Sequence, residues 1–114
     1  MVTLYGIPNC DTMKKARSWL DEHGIDYEFH NYKKQGVPAA AVKSWVKQLG
    51  WEVLLNKRGT TWRQLDETTK ANVDTQSAIA IMQENPSIIK RPVLDMDGQL
   101  QVGFSEDNYQ KLFS

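Results

Sequence analysis

Val2-Thr-Leu-Tyr-Gly-Ile7, followed by Pro8-Asn9-Cys10-Asp11-Thr12, is the stretch from which the rest of the chain can be read. A short apolar run, closed by Gly6 and Pro8, gives way to a polar turn, and a helical pattern starts near Met13. From Met13 to His23 the spacing predicts a helix. Met13, Ala16, Trp19 and Leu20 share one face, while Lys14, Lys15, Ser18 and Asp21 face away. Gly24 stands where helices commonly end in a left-handed residue. Asp26 to Tyr32 alternates aromatic and polar positions, the pattern of a half-buried strand. Strand, helix and strand within about 30 residues make a βαβ unit, which implies parallel pairing and a right-handed crossover.

Cys10 is the only cysteine, and it stands where the turn becomes the helix. A helix N-terminus carries unpaired N–H groups and partial positive charge, and both favour a thiolate over a thiol. Asp11 pulls the other way, since an adjacent carboxylate raises a thiol pKa. A free cysteine is most often a small buried hydrophobe; its place at a strand-to-helix turn, with Lys14 one turn along, favours a reactive one. With no second cysteine, an internal disulfide is impossible, and any redox cycle needs a thiol from outside the chain.

Working outward, Lys33 to Gly36 reads as a polar connection, and Pro38 suits the first position of a helix. Val42, Trp45, Val46 and Leu49 form an apolar stripe that ends at Gly50. Trp51 to Thr61 has no clear periodicity: Lys57-Arg58-Gly59 reads as a loop and Trp62 to Leu65 as a helical turn. Asp74-Thr75 caps a further helix bearing Ala78, Ile81 and Met82, stopped by Asn85-Pro86. Pro92-Val-Leu-Asp-Met96 and Leu100-Gln-Val-Gly-Phe104 flank Asp97-Gly98, a strong hairpin signal. Ser105 caps a last helix with Tyr109, Leu112 and Phe113. The order is β-α-β, helical or irregular segments, β-hairpin, α.

At 114 residues the chain is expected to form one domain, long enough to bury a core without disulfide or metal staples. Its 14 basic and 14 acidic side chains cancel, which weighs against a sequence-blind grip on nucleic acid or anionic membrane. No apolar run approaches the roughly 18 residues needed to span a bilayer. A strand pattern at the N-terminus and one unpaired cysteine lead to the expectation of a reducing cytoplasm. His23 and His30 have no partner at a useful spacing, and no zinc site can be argued.

The element order and four motifs together resemble the ArsC family of thioredoxin-like proteins. The motifs are Pro8-Asn9-Cys10 with Lys14 and Lys15 following, Arg58-Gly-Thr-Thr-Trp-Arg63, Ile89-Lys-Arg-Pro92-Val, and Leu100-Gln-Val-Gly-Phe-Ser-Glu-Asp107. The likeness runs from Leu4 to Phe113 and is strongest to the Spx/YffB branch. It implies an α/β, thioredoxin/glutaredoxin-like βαβ…ββα fold over residues 1–114, with a helical insertion at about 37–85.

The family holds glutathione-linked arsenate reductases, thiol reductases and Spx transcriptional regulators. The resemblance implies a cytosolic monothiol reductase with Cys10 as nucleophile. Lys14, Arg63, Arg91, Pro92 and Arg58 are the residues it implies for binding substrate or glutathione. Pro92 is expected to follow a cis peptide and to line the site, freeing backbone groups for an extended thiol ligand. Arg91 and Arg63 are expected to hold carboxylates or an oxyanion. Glutathione is the implied co-substrate, with no permanently bound cofactor and no metal; glutaredoxin is a further implied partner. A regulatory adaptor that binds RNA polymerase is the alternative.

Three departures refine this. No arginine stands in the Gln101-Val-Gly-Phe104 region, where arsenate reductases carry a third. Gly6 stands in the region of a histidine often found ahead of the cysteine. Met13 replaces the second thiol of a CxxC switch. The first two point away from arsenate reduction, and the third removes an internal disulfide switch.

Overall fold

A computed structural model describes residues 2–8 and 10–114; Asn9, part of the motif around the cysteine, lies outside the described residues. The chain divides into two compact units. The first joins Met1–Asn31 to Arg91–Ser114, and the second is Tyr32–Lys90. The insertion expected at about 37–85 falls within the second.

In the first unit, β1 (Val2–Gly6), α1 (Asp11–Glu22) and β2 (Tyr27–Asn31) form the βαβ unit, and β3 (Val93–Met96) and β4 (Gln99–Val102) form the hairpin. The sheet order is β2-β1-β3-β4. β1 pairs in parallel with β2, setting Leu4 opposite Phe29, and antiparallel with β3, setting Leu4 opposite Leu94. β1 and β3 take the two inner positions, and each has residues buried there, Leu4 and Gly6 on β1 and Val93 and Leu94 on β3. Asp97 and Gly98 both have positive φ, 52° and 96°, the backbone of a tight two-residue hairpin turn. The Asp95 carboxylate accepts the Gly98 N–H at 2.8 Å and fixes that turn.

Leu4, Met13, Ala16, Trp19, Leu20, Leu94 and Tyr109 form the core of this unit. They come from β1, α1, β3 and the last helix, α8 (Glu106–Phe113). Ser105 caps that helix by accepting the Asn108 N–H. Tyr109 meets Trp19 and Phe104 edge to face, at centroid distances of 5.5 and 4.7 Å. This geometry docks α8 against α1.

The second unit is helical: α2 (Tyr32–Gln35), α3 (Ala39–Leu49), α4 (Trp51–Leu54), α5 (Thr60–Arg63), α6 (Glu67–Ala71) and α7 (Thr75–Glu84), then a 3₁₀ turn at Pro86–Ile88. The expected stripe holds, with Val42, Trp45 and Val46 buried on α3 and Ala78, Ile81 and Met82 buried on α7. Asp74 and Ser77 form a capping box at the start of α7. Leu55 and Ile89 make an isolated antiparallel bridge.

Several local expectations are corrected. The connection at Lys33 to Gly36 is one helical turn, closed by the Gly36 N–H donating to the Tyr32 carbonyl at 2.9 Å, with Tyr32 buried as its anchor. Pro38 caps α3 in extended conformation, φ −62° and ψ 134°, rather than opening it. The aperiodic segment holds α4, and the turn expected at Trp62 to Leu65 begins two residues earlier. α6 has no counterpart among the expected elements; its signal is Asp66, which caps it by accepting the Thr69 N–H. β4 stops at Val102 because Gly103, at φ 79°, turns the chain toward α8. Among the described residues, no helix is long and apolar enough to cross a membrane.

Candidate active site

Cys10 is the N-cap residue of α1, with extended backbone (φ −118°, ψ 132°). Its carbonyl accepts the Lys14 N–H at 2.9 Å, the first bond of the helix. The sulfur is half-buried and packs against the core of the first unit. Its surroundings follow from that position. The Thr12 and Met13 amides belong to the first helical turn, which has no intrahelical acceptors for them. The thiol forms no side-chain cap hydrogen bond; the amides act on the thiolate that replaces it.

Two opposing influences set the Cys10 pKa. Burial of the sulfur pushes it up. Against this, the Met13 amide, the Arg91 guanidinium and the Thr12 amide stabilise the thiolate, and the positive charge of Arg91 adds to them. The balance holds Cys10 below the ordinary thiol value. The flanking charged residues, Asp11 and Lys14, have exposed side chains. The effective cation is Arg91, eighty-one positions along the chain, and the sheet register is what brings it in: β1 and β3 are neighbours, so the residue entering β3 reaches the turn leaving β1.

Arg91 and Pro92 are joined by a cis peptide, as the resemblance implies. Pro92 is buried, and its carbonyl accepts the Gly103 N–H at 2.8 Å, which ties the start of β3 to the end of β4. Arg91 itself is partly exposed, with its Nε buried.

Gly6 and Met13 close the inner side of the site. A Cβ at Gly6 would lie 2.7 Å from Met13 Cε and closer still to Met13 Sδ. Lys14 lines a groove of about 590 Å³ with Lys15, Ser18, Trp19, Phe104 and Ser105, between α1 and the start of α8. That groove begins one helical turn from Cys10. His23 takes no part in it: its ring stacks on Trp19 at 3.8 Å and its Nδ1 donates to the Trp19 carbonyl at 2.8 Å.

The other two expected binding residues belong to the helical unit. Arg63 ends α5 with an exposed side chain, and its carbonyl accepts from Lys70 Nζ at 3.3 Å. Arg58 is exposed, and its backbone N–H donates to Asn56 Oδ1 at 3.1 Å. Trp62 faces Lys57, whose ammonium lies 5.4 Å from its ring. Thus Cys10, Arg91, Pro92 and Lys14 share the first unit, and the Arg91 guanidinium favours the Cys10 thiolate.

Comparison with known proteins agrees with this arrangement. The model of the ArsC family matches residues 5–112. The solved structure of a YFFB protein has a TM-score of 0.97 and 48% identity, with each chain wholly covered. An arsenate reductase (ArsC) related protein from Brucella melitensis has a TM-score of 0.78 and 54% identity, over 99% of this chain and 94% of that one. The global transcriptional regulator Spx of Listeria innocua is 30% identical over 97% of this chain and 86% of its own length. The lone thiol at a helix start, the arginine before a cis-proline and these likenesses lead to one conclusion: the chain is a thioredoxin-like member of the ArsC family.

Proposed function

We propose that the protein is a monothiol reductase that uses Cys10 as nucleophile and glutathione as external thiol. The observation that carries this reading is the placing of Cys10 at the N-cap of α1, with Arg91 entering β3 beside the end of β1; the helix-start amides and the Arg91 guanidinium stabilise its thiolate and lower its pKa. Exchange is fastest when the attacking thiol has a pKa near ambient pH, so a modest lowering suffices.

The chemistry balances without a bound cofactor. The Cys10 thiolate attacks the glutathione sulfur of a mixed disulfide between glutathione and a substrate thiol, forms a new S–S bond and expels the substrate sulfur as thiolate. A glutathione thiolate then attacks the Cys10 adduct at the glutathione sulfur, releases oxidised glutathione and restores the Cys10 thiolate; glutaredoxin can deliver that second step. Arg91 stabilises Cys10 as attacking and as leaving thiolate. With Arg63, it serves as a donor to ligand carboxylates, the role the resemblance implies. Lys14 and Pro92 border the ligand. This is chemistry of a reducing compartment, the cytoplasm.

Incubation with oxidised glutathione followed by intact-mass spectrometry tests the reading. The wild type gains one glutathione, which added reduced glutathione removes, and Cys10→Ser gains none. Absence of the adduct from the wild type under conditions that glutathionylate a cysteine peptide contradicts it.

The similarity to Spx over nearly the whole chain supports a second reading, an adaptor that binds RNA polymerase without catalysis. Met13 in place of a second thiol counts against redox switching in such a role, though not against binding. Retention of RNA polymerase by both the wild type and Cys10→Ser in a pull-down, with no turnover by either, favours the adaptor. Arsenate reduction has the least support, because Gly6 stands in the region of the histidine and the Gln101-Val-Gly-Phe104 segment carries no third arginine.

A further inference from the structure

Lys57, Arg58 and Lys90 line one pocket of about 450 Å³ in the helical unit, with Glu52, Leu55 and Asn56. Three cations there face a single carboxylate. The Arg58 guanidinium and the Lys90 ammonium make no hydrogen bond or ion pair with another described residue. Like charges gathered on a concave wall repel one another and concentrate counter-ions.

The wall is fixed in place. The Asn56 N–H donates to the Ile88 carbonyl at 2.8 Å and the Lys90 N–H to the Leu54 carbonyl at 2.7 Å, on either side of the Leu55–Ile89 bridge. Asn56 Oδ1 holds the Arg58 amide, and the Lys57 ammonium lies over two rings, 5.3 Å from Trp51 and 5.4 Å from Trp62. Lys57 is thereby held by cation–π attraction. Lys90 and Arg58 are brought together from segments 32 positions apart.

We propose that this pocket binds a small phosphate-bearing ligand. A phosphate ester offers several acceptor oxygens and close to two charges, which a guanidinium fork and two ammonium groups can meet together; a single carboxylate would leave cations unmatched. A concave pocket in a chain of zero net charge suits a small anion better than the long basic track a nucleic-acid backbone requires. The pocket contains neither Cys10 nor Arg91, and it takes over Arg58, which the resemblance implied for substrate or glutathione; anion binding there is read without any thiol activity.

The test is titration of the full chain with inorganic pyrophosphate, followed by amide NMR, with sodium chloride at matched ionic strength as control. The expected result is saturable movement of the Asn56, Lys57, Arg58 and Lys90 amides, with a dissociation constant on the order of 1 mM or tighter. The double variant Arg58→Ala/Lys90→Ala is expected to weaken binding about tenfold or more, while its remaining amide spectrum shows that the fold is kept. If that variant is misfolded, the charge-reversing single variant Lys90→Glu is read in the same way. Shifts spread evenly over exposed lysines such as Lys43 and Lys47, or unchanged in the variants, overturn the proposal. So does tight binding of a single-stranded oligonucleotide with no response to pyrophosphate.

Discussion

Met13 occupies the space that any side chain on Gly6 would need, its Cε 2.7 Å from where a Cβ would stand. Two departures from the family pattern are therefore one packing event. The residue that replaces the second thiol of a CxxC pair is also the one that leaves no room for a histidine on β1. Met13 is fully buried in the core, so both substitutions are fixed by the same contacts. An internal disulfide partner and a second polar group beside Cys10 are excluded together.

Gly6→Ala is expected to destabilise the protein by about 1–3 kcal/mol, since the added methyl must displace a packed side chain. Urea denaturation checks this. Combined with Met13→Ala, which itself costs about 2–5 kcal/mol by leaving a cavity, the loss is less than the sum of the two, because the clash is gone. Strict additivity would show that the contact does not limit position 6.

Met13→Cys restores a CxxC spacing at the start of α1. The expected outcome is a disulfide between Cys10 and the introduced thiol under mild oxidant, detected as loss of both free thiols in an alkylation assay. Glutathione attached to Cys10 of this variant is released rather than retained, because the second thiol resolves the adduct. Stable glutathionylation of the variant would count against Cys10 and position 13 being within bonding reach.

Arg91→Ala removes both the hydrogen bond to the sulfur and the nearby positive charge, so the Cys10 pKa rises. Alkylation at pH 7 is expected to slow about three- to tenfold, with Arg91→Lys intermediate because charge remains and the fork is lost. The linkage has a definite sign. The folded Cys10 pKa is depressed below the ordinary value of 9.0, so the thiolate's contribution to stability is fully present above the unfolded pKa. It is lost as pH falls through the folded one. The stability gap between wild type and Cys10→Ser should therefore widen as pH rises through that window, by denaturation at several pH values.

Tyr109 is fully buried, and its hydroxyl has no hydrogen-bond partner among the described residues. Burial also pushes its pKa far above the usual phenol range. Tyr109→Phe is expected to be neutral or to stabilise by about 1 kcal/mol, since it removes an unpaired polar atom and keeps the ring contacts with Trp19 and Phe104. A loss of more than about 1 kcal/mol on thermal or urea denaturation would reveal a partner for that hydroxyl.

The first unit is legible in the sequence because its signals are local and strong. Helical spacing from Met13 to Leu20, alternation in β2 and Asp97-Gly98 each state their own conformation. Cys10 is legible by position alone, since a strand-to-helix turn dictates which amides face it. The sign of its pKa shift is not, because it depends on Arg91, which only the β1–β3 register brings to the sulfur. The nearer charges, Asp11 and Lys14, are exposed to solvent, which screens them. The segment from Trp51 to Ala71 is the least legible. Its short helices α4, α5 and α6 are too brief to show a period, and what fixes the first of them, the Leu55–Ile89 bridge, is a contact 34 positions apart. The pairing of Lys57 with two tryptophan rings follows from that local fold.

The central claim is that Cys10 is a thiolate-prone nucleophile poised by Arg91 and the start of α1. Its most direct test is the pH dependence of Cys10 alkylation in the native protein, beside a cysteine peptide of ordinary pKa. The account predicts a rate profile whose midpoint lies below that of the peptide and moves up toward it in Arg91→Ala. A native midpoint at or above the peptide's, unchanged by Arg91→Ala, would contradict it.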